Sequence, residues 1–325
     1  MKPWLQRLRP DGYILAIVGM VVLASLAPCR GVAAVVLDHV TDIAIGLLFF
    51  LYGGRLSREA VLAGVSNWRL QALVLASTFV AFPVFGLAIA TVVRPFIDPS
   101  IATGLMFLCL LPSTVQSSIA FTSIARGDVP SAVCAASLSN LVGIVLTPVL
   151  VGLFLTTPGA GGFSFDALRA VVLQLFVPFA IGQALRPWIA GWLQKYRVIL
   201  GYVDRGSILL VVYTAFSEGV VSGIWNRVDA RTLLMILLTS SMLLAAMLAF
   251  TFWSSRRMHF ATEQEAAIVF CGSKKSLASG VPMANILFPG HLVGIMVLPL
   301  MLFHQIQLMA CAAIASRYAE RHAGR

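Results

Sequence analysis

Apolar residues fill ten long stretches of the chain, and polar and charged residues collect in the short segments between them. A stretch of about 20 apolar residues is long enough for a helix that crosses a membrane. We therefore expect an all-α polytopic membrane protein with ten transmembrane helices. The predicted spans are Gly12–Ala27, Val35–Tyr52, Trp68–Val93, Ser100–Ala125, Val129–Thr156, Asp166–Ile189, Gly206–Ile224, Thr232–Ser254, Glu265–Phe288 and Leu292–Ser316.

A glycine-rich segment, Thr157–Ser164, separates these spans into two sets of five and favours a flexible connector. Because each set has an odd number of spans, the second set enters the membrane from the opposite side. This arrangement is typical of an inverted-topology repeat. We expect 1–156 to form the first repeat, 157–165 the linker and 166–325 the second repeat, within a single integrated membrane domain.

The fourth and ninth spans are each interrupted by a short polar segment. Gln116–Ala120 brings two serines into the fourth span, and Lys274–Ala278 brings two lysines and a serine into the ninth. Backbone that leaves a helix at membrane depth must be buried in protein or line a wet cavity, because lipid offers it no hydrogen bonds. A matched pair of broken helices in two halves of one chain indicates the binding site of a secondary transporter.

The composition agrees with a membrane protein and argues against a nucleic-acid-binding role. Hydrophobic residues make up 59% of the 325 residues, and only 11% are charged, against about 25% in soluble domains. The net charge of +10 comes from basic residues that lie singly or in pairs at span ends, where membrane proteins place them. The five cysteines show no metal-ligand spacing, and we expect them to act as small buried hydrophobic residues.

The distribution of lysine and arginine predicts that both termini are cytoplasmic, with the chain in the inner (plasma) membrane. In this orientation 16 of the 23 basic residues fall on the cytoplasmic side, and Lys274 and Lys275 stay inside the membrane. An excess of basic residues on the cytoplasmic side is the general rule for membrane proteins. The five on the opposite side are Arg30, Arg94, Arg169, Arg227 and Arg231.

Three segments, Leu111–Asp128, Tyr213–Glu218 and Cys271–Pro282, resemble the bile acid:sodium symporter family. They look most similar to its bacterial, SBF-like branch, which is related to the seventh member of human solute carrier family 10. The resemblance covers all ten spans. It implies a core domain of spans 3–5 and 8–10 and a panel domain of spans 1, 2, 6 and 7. It also implies that the interrupted fourth and ninth helices cross and form the ion and substrate sites.

The resemblance implies sodium as a coupling ion, yet most of the matching positions lack suitable ligands. The matching positions are Ser118 and Ile119 in the fourth helix, Ala132 and Ala136 in the fifth, and Phe270 and Lys274 in the ninth. At these positions sodium-coupled members have a Ser-Asn pair, a Ser/Thr pair, and Glu and Gln, respectively. Sodium takes oxygen ligands, and a nearby ammonium group would repel it. Ser118 is the sodium ligand that remains, and we expect at least one sodium site to be absent.

Eight polar residues within the spans are the candidate substrate and ion ligands: Gln116, Ser117, Ser118, Asn140, Glu218, Lys274, Lys275 and Ser276. A charge at the bilayer centre costs about 2.5–3.5 kcal/mol on insertion scales, so an intramembrane lysine is functional by default. The alternative for one lysine is a side chain that reaches the interface. The serines and amides could instead pair helix ends or neighbouring helices. For Glu218 the alternative is a residue at a wet rim.

The leading hypothesis is a secondary active transporter of a small organic anion that works by alternating access. Positive helix ends and two lysines favour an anion. The coupling ion is sodium, as the resemblance implies, or a proton. The alternatives are a channel or ion-regulating membrane protein without coupling, and an intramembrane enzyme. No catalytic set of residues can be assembled at one depth, so an enzyme is not expected. The expected partners are the anion, the coupling ion and the lipid bilayer, with no cofactor besides sodium.

The predicted orientation can be tested with reporter fusions. A reporter joined after Gly161 should lie outside the cytoplasm, and one joined after Arg325 should lie inside it, because five spans separate the two points. Compartment-specific reporter activity measures this directly. If both fusions report the same side, the five-plus-five arrangement is wrong.

Overall fold

The computed structural model describes residues 12–55, 67–155, 169, 172–226 and 228–323, and the regular secondary structure of these residues is helical. The helices are α1 (Gly12–Leu26), α2 (Val32–Arg55), α3 (Trp68–Phe96), α4 (Pro99–Leu110), α5 (Gln116–Ile124), α6 (Val129–Phe154), α7 (Val172–Lys195), α8 (Arg197–Val221), α9 (Ala230–Arg257), α10 (Thr262–Gly272), α11 (Leu277–Leu287) and α12 (Gly290–Ala323). The predicted connector at 157–165 lies outside the described residues.

Seven helices within the described part of the chain are long and apolar enough to cross a membrane, namely α2, α3, α6, α7, α8, α9 and α12. Helices α1 and α4 are also apolar but shorter. The protein is therefore a multi-pass α-helical membrane protein. The number of ten crossings and the inverted relation of the two halves stay predictions.

The fourth and ninth predicted spans are each divided into two helices, as the sequence predicts. The fourth consists of α4 and α5 and the ninth of α10 and α11, with breaks at 111–115 and 273–276. Pro112 disfavours a helical conformation at Leu111, which is extended (φ −78°, ψ 157°), so the first break lies earlier than expected. The segment Gln116–Ala120, predicted as the interruption, is helical and begins α5, and that prediction was wrong.

Helices α7 and α8 extend beyond the predicted spans, which ended or began near charged residues. Helix α7 continues to Lys195, and α8 begins at Arg197. Asp204 in α8 is only 4% exposed and forms an ion pair with Arg55 at the end of α2. This pairing allows the Asp204 carboxylate to lie in the part of α8 that precedes the predicted start of the span at Gly206. The predicted start of the sixth span at residue 166 lies outside the described residues.

The chain divides into two compact units, each of which takes helices from both halves of the sequence. The first unit contains parts of 1–57, 158–229 and 281–297, and the second contains parts of 58–157, 230–280 and 298–325. This grouping follows the panel and core helices that the resemblance implies, except that 281–297 belongs to the first unit.

Within the first unit, two glycines allow α2 and α7 to pack backbone against backbone. A Cβ atom on Gly53 would overlap the carbonyl of Phe179, and one on Gly182 would overlap the carbonyl of Phe50. Small residues allow this close approach, on which membrane helices depend for van der Waals contact.

Within the second unit, an apolar cluster joins α3, α6 and α10. Its buried members are Leu70, Leu73, Val74, Ala132, Ala135, Ala136, Ala267, Ile268 and Cys271. The cluster fixes the last two turns of α10 immediately before its break, and so positions the residues that follow.

Candidate functional site at the two helix breaks

The two helix breaks lie in the second unit and are hydrogen-bonded to each other. Ser113 Oγ donates to Cys271 O at 2.5 Å, Ser118 Oγ donates to Phe270 O at 2.8 Å, and Ser276 N–H donates to Pro112 O at 2.9 Å. Helix ends leave N–H and C=O groups without intrahelical partners, and buried groups of this kind need partners elsewhere. Each break supplies such partners to the other, so the two breaks form one structure.

Lys275 lies in the second break with its ammonium group surrounded by backbone carbonyls. Its Nζ donates to Thr78 O at 2.8 Å, to Cys109 O at 2.8 Å and to Leu111 O at 2.6 Å. The Phe82 ring centroid lies 4.2 Å from the same nitrogen. An ammonium group has three N–H donors, so all three have an acceptor here. The Lys275 side chain is 0% exposed.

The Thr78 carbonyl is available to Lys275 because of a local change in the helical register of α3. Residues Ser77–Ala81 form a π-helical segment, in which the Phe82 N–H bonds to Ser77 O five residues earlier. The same five-residue step from Thr78 O leads to Pro83, which has no N–H. The carbonyl that this proline leaves without a backbone partner accepts its hydrogen bond from Lys275 instead.

Gln307 of α12 pairs both backbone groups of Lys275. The Lys275 N–H donates to Gln307 Oε1 at 2.9 Å, and Gln307 Nε2 donates to Lys275 O at 2.9 Å. The same Nε2 lies 2.8 Å from His304 Nδ1. One buried amide therefore satisfies a residue whose backbone lies outside any helix.

Lys274 is as buried as its neighbour, but its ammonium group has a different environment. Its Nζ donates to Ser117 Oγ at 3.2 Å and lies 4.5 Å from the Phe121 ring centroid and 5.9 Å from that of Phe270. An ammonium over an aromatic face is attracted by the ring quadrupole. Among the described residues this group has a single hydrogen-bond acceptor, so it keeps donor capacity that Lys275 has already used.

Asn140 and Ser276 connect the breaks to neighbouring helices. Asn140 Nδ2 donates to Ser113 O at 2.8 Å, and its Oδ1 accepts from Ser279 Oγ at 2.8 Å. Ser276 Oγ accepts from the Ser279 N–H at 3.1 Å, which is the bond that an N-cap serine makes at the start of a helix. Asn140 therefore joins α6 to the first break and to α11, and Ser276 caps α11.

The structure brings together six of the eight candidate residues. Lys274, Lys275 and Ser276 lie in the second break, and Ser117, Ser118 and Asn140 lie on helices beside the breaks in the second unit. Gln116 is exposed at the first position of α5. Glu218 belongs to the first unit and is exposed there, with its carboxylate in the space that a side chain on Gly290 would need. The binding roles of all eight stay predictions.

The positions where the resemblance implies sodium ligands do not fit a sodium ion. Ala132 and Ala136 are fully buried members of the apolar cluster. Phe270 is also fully buried, and its ring lies 5.9 Å from that of Phe121. Ser118 Oγ already donates to the Phe270 carbonyl. Hard cations such as sodium need several oxygen ligands, and these side chains supply a single hydroxyl.

Sequence reasoning missed the residues that satisfy the breaks from other helices. Lys275 is contacted by Gln307 and Thr78. Two hydroxyls of α6 bond to backbone at the first break and at the residue before it. Ser139 Oγ accepts from the Ser113 N–H at 3.0 Å, and Thr147 Oγ1 donates to Leu110 O at 2.8 Å. The signal that could have found them is the presence of buried hydroxyls and an amide in otherwise apolar spans, because buried polar groups are almost always paired.

Comparison with known proteins identifies relatives over nearly the whole chain. A model of the SBF-like CPA transporter family matches residues 11–320. An uncharacterized protein of Pseudomonas aeruginosa is 55% identical over 97% of this chain and 95% of its own length. An Escherichia coli K12 protein named "putative symporter YfeH" is 50% identical over 95% of this chain and 92% of its own. The Rattus norvegicus sodium/bile acid cotransporter 7 is 28% identical over 94% and 91%.

Replacing Gln307 should test how much the break depends on its amide. Gln307→Leu leaves the N–H and C=O of Lys275 buried without partners, and we expect a loss of about 1–3 kcal/mol in stability for each unpaired group. Thermal unfolding of the detergent-purified protein measures the effect. Gln305→Leu, on the same helix, is the control and should change the melting temperature much less. Equal melting temperatures for the two variants would contradict this role of Gln307.

Proposed function

The chain belongs to the SBF-like CPA transporter family, and from this membership we propose that it is a secondary active transporter of a small organic anion that works by alternating access. The observation that carries the proposal is the pair of broken helices, hydrogen-bonded to each other and containing two fully buried lysines. Non-helical backbone within a membrane protein is tolerated where it is buried in protein or lines a cavity, and transporter sites are built in this way.

The charges at the breaks favour an anionic substrate. Helices α5 and α11 both begin at a break, where N-termini carry partial positive charge and N–H groups without intrahelical partners. Lys274 and Lys275 add two ammonium groups, whose acceptors among the described residues are hydroxyl and carbonyl oxygens. A carboxylate, sulfate or phosphate group on the substrate would complement this arrangement. Lys274 is its proposed contact, because it retains unused N–H donors.

The choice of coupling ion follows from the side chains at the breaks. The names of the relatives, a symporter and a sodium/bile acid cotransporter, support coupling of the anion to a cation. The residues that replace the family's sodium ligands include Ala132, Ala136 and Phe270, which offer no side-chain oxygen. We therefore favour protons as the coupling ion over the sodium that the resemblance implies.

The proposed setting is the inner (plasma) membrane with both termini in the cytoplasm. The seven long helices, the short apolar α1 and the two broken pairs would together make ten crossings. The excess of basic residues on one side of this arrangement supports the orientation.

Counterflow in proteoliposomes separates the proposed transporter from a channel. A thermal-stability screen of the purified protein against organic anions first finds the ligand, since a ligand that binds the folded state raises the melting temperature. An alternating-access transporter then exchanges internal unlabelled ligand for external labelled ligand and accumulates label transiently. Flux without counterflow would indicate a channel, and conversion of the ligand into a product would indicate an enzyme.

We expect uptake to proceed without sodium. Replacing sodium by choline should leave the rate unchanged, because Ser118 is the one implied sodium position with a side-chain oxygen. Collapsing the pH gradient should lower the rate. Uptake of the labelled ligand in proteoliposomes measures both effects. Any requirement for sodium would contradict the prediction, and a Hill coefficient of about 2 would further show two intact ion sites.

Substitution of Lys274 should weaken substrate binding more than it weakens the fold. Lys274→Ala removes a charged donor worth about 1.5–3 kcal/mol, and we expect the apparent affinity to fall about tenfold or more. The variant loses one hydrogen bond and two cation–π contacts within the protein, so its melting temperature should fall by about 2–4 °C only. Arg257→Ala, at the exposed end of α9, is the control. Unchanged affinity in Lys274→Ala would remove this residue from the site.

A further inference from the structure

Three backbone carbonyls in the second unit converge on one point, which the ammonium group of Lys275 occupies. Thr78 O, Cys109 O and Leu111 O lie 2.6–2.8 Å from its nitrogen. Carbonyl oxygens arranged in this way replace the hydration shell of a monovalent cation in ion-selective proteins. The three carbonyls and the ring beside them are called the carbonyl cage below.

The cage is polarised toward positive charge by several features that act together. Cys109 lies in the last turn of α4 and Leu111 follows its last residue, where the helix dipole carries partial negative charge. The Phe82 ring centroid lies 4.2 Å from the lysine nitrogen and presents a negative π-surface to it. No carboxylate is among the contacts that the described residues make with this nitrogen. Dipoles without a formal negative charge suit a cation of charge +1.

Each carbonyl of the cage is left without a helical partner by a definite feature of the chain. Pro83 cannot supply the N–H that the π-helical register would direct to Thr78 O. The break that Pro112 imposes ends α4 and leaves its last carbonyls without i+4 donors. A cage built from three such carbonyls would be unstable without a central donor or cation, because buried unpaired carbonyls are costly.

We infer that Lys275 acts as a tethered cation in a built-in monovalent-cation site, and so holds the two helix breaks together without a bound sodium ion. This inference deepens the proposed function, because it explains how the breaks keep their geometry without sodium. What it implies for ion coupling rests on the proposed transport function. Lys274 differs in this respect, since a hydroxyl and two rings surround its ammonium instead of a cage.

The inference is tested by removing the tethered cation and supplying a free one. Lys275→Ala deletes the equivalent of propylammonium from the cage, and its melting temperature should fall by about 5–10 °C, the scale of a buried unpaired group. Adding propylammonium chloride should restore at least half of the loss, and sodium chloride should restore part of it. Choline, which is too large, and 1-propanol, which has the shape but not the charge, should restore nothing. The wild type and Lys274→Ala should respond equally to all four additives.

Lys275→Gln separates a cation site from an ordinary polar plug. The glutamine amide can donate two hydrogen bonds but carries no charge. We therefore expect the Lys275→Gln variant to be as destabilised as Lys275→Ala. Propylammonium should not rescue it, because the glutamine side chain fills the space. Wild-type stability in Lys275→Gln, or equal rescue of Lys275→Ala by 1-propanol and propylammonium, would overturn the inference.

A poorly folding variant is still informative. If Lys275→Ala is not recovered in buffer alone, membranes can be solubilised with each additive and the monodisperse fraction measured by size-exclusion chromatography. Recovery only with propylammonium or sodium supports the cage, and failure under every condition counts against it. Because these readouts are unfolding and recovery, they are independent of transport, and a wild type that transports no anion would overturn the proposed function alone.

Discussion

A helix that breaks inside an apolar protein leaves polar backbone groups that nothing outside the protein can satisfy, and the second unit is organised around this constraint. The carbonyl of Leu110 is taken by Thr147, and those of Ser113 and Pro112 by Asn140 and the Ser276 N–H. Helices α6 and α12 therefore have fixed positions relative to the breaks, since their hydroxyls and amides must reach particular backbone atoms. The packing of the unit and the chemistry of its centre follow from the same set of hydrogen bonds.

The two adjacent lysines show how one segment can carry two different environments. The backbone between Gly272 and Leu277 is not helical, so the side chains of Lys274 and Lys275 leave it in separate directions. Lys275 meets carbonyl oxygens at the end of α4 and the Phe82 ring. Lys274 meets Ser117 and two rings, one in α5 and one near the end of α10. Identical residue types therefore have unequal reserves of hydrogen-bonding capacity, and that inequality is what distinguishes a structural cation from a candidate ligand contact.

The sequence was sufficient to predict the helical membrane class and the two interrupted spans, because hydropathy and proline act locally. The serines of Gln116–Ala120 predict a first break that is too late, because Pro112 ends the helix before them. The partners of the lysines could not be predicted, because tertiary packing sets them. The role of Thr78 depends on the π-helical register of α3 and on Lys275, which is far away in sequence. Gln307 was similarly inconspicuous, since a single amide in a long span has many possible roles.

The π-helical segment before Pro83 has a consequence for how this chain can change over generations. A residue other than proline at that position would bring an N–H within reach of Thr78 O and would compete with Lys275 for it. Conversely, loss of Lys275 would be tolerated best in a background that had already acquired such an N–H. The effect of an exchange at Pro83 therefore depends on the residue at position 275, and the reverse also holds, so we expect epistasis between these two distant positions.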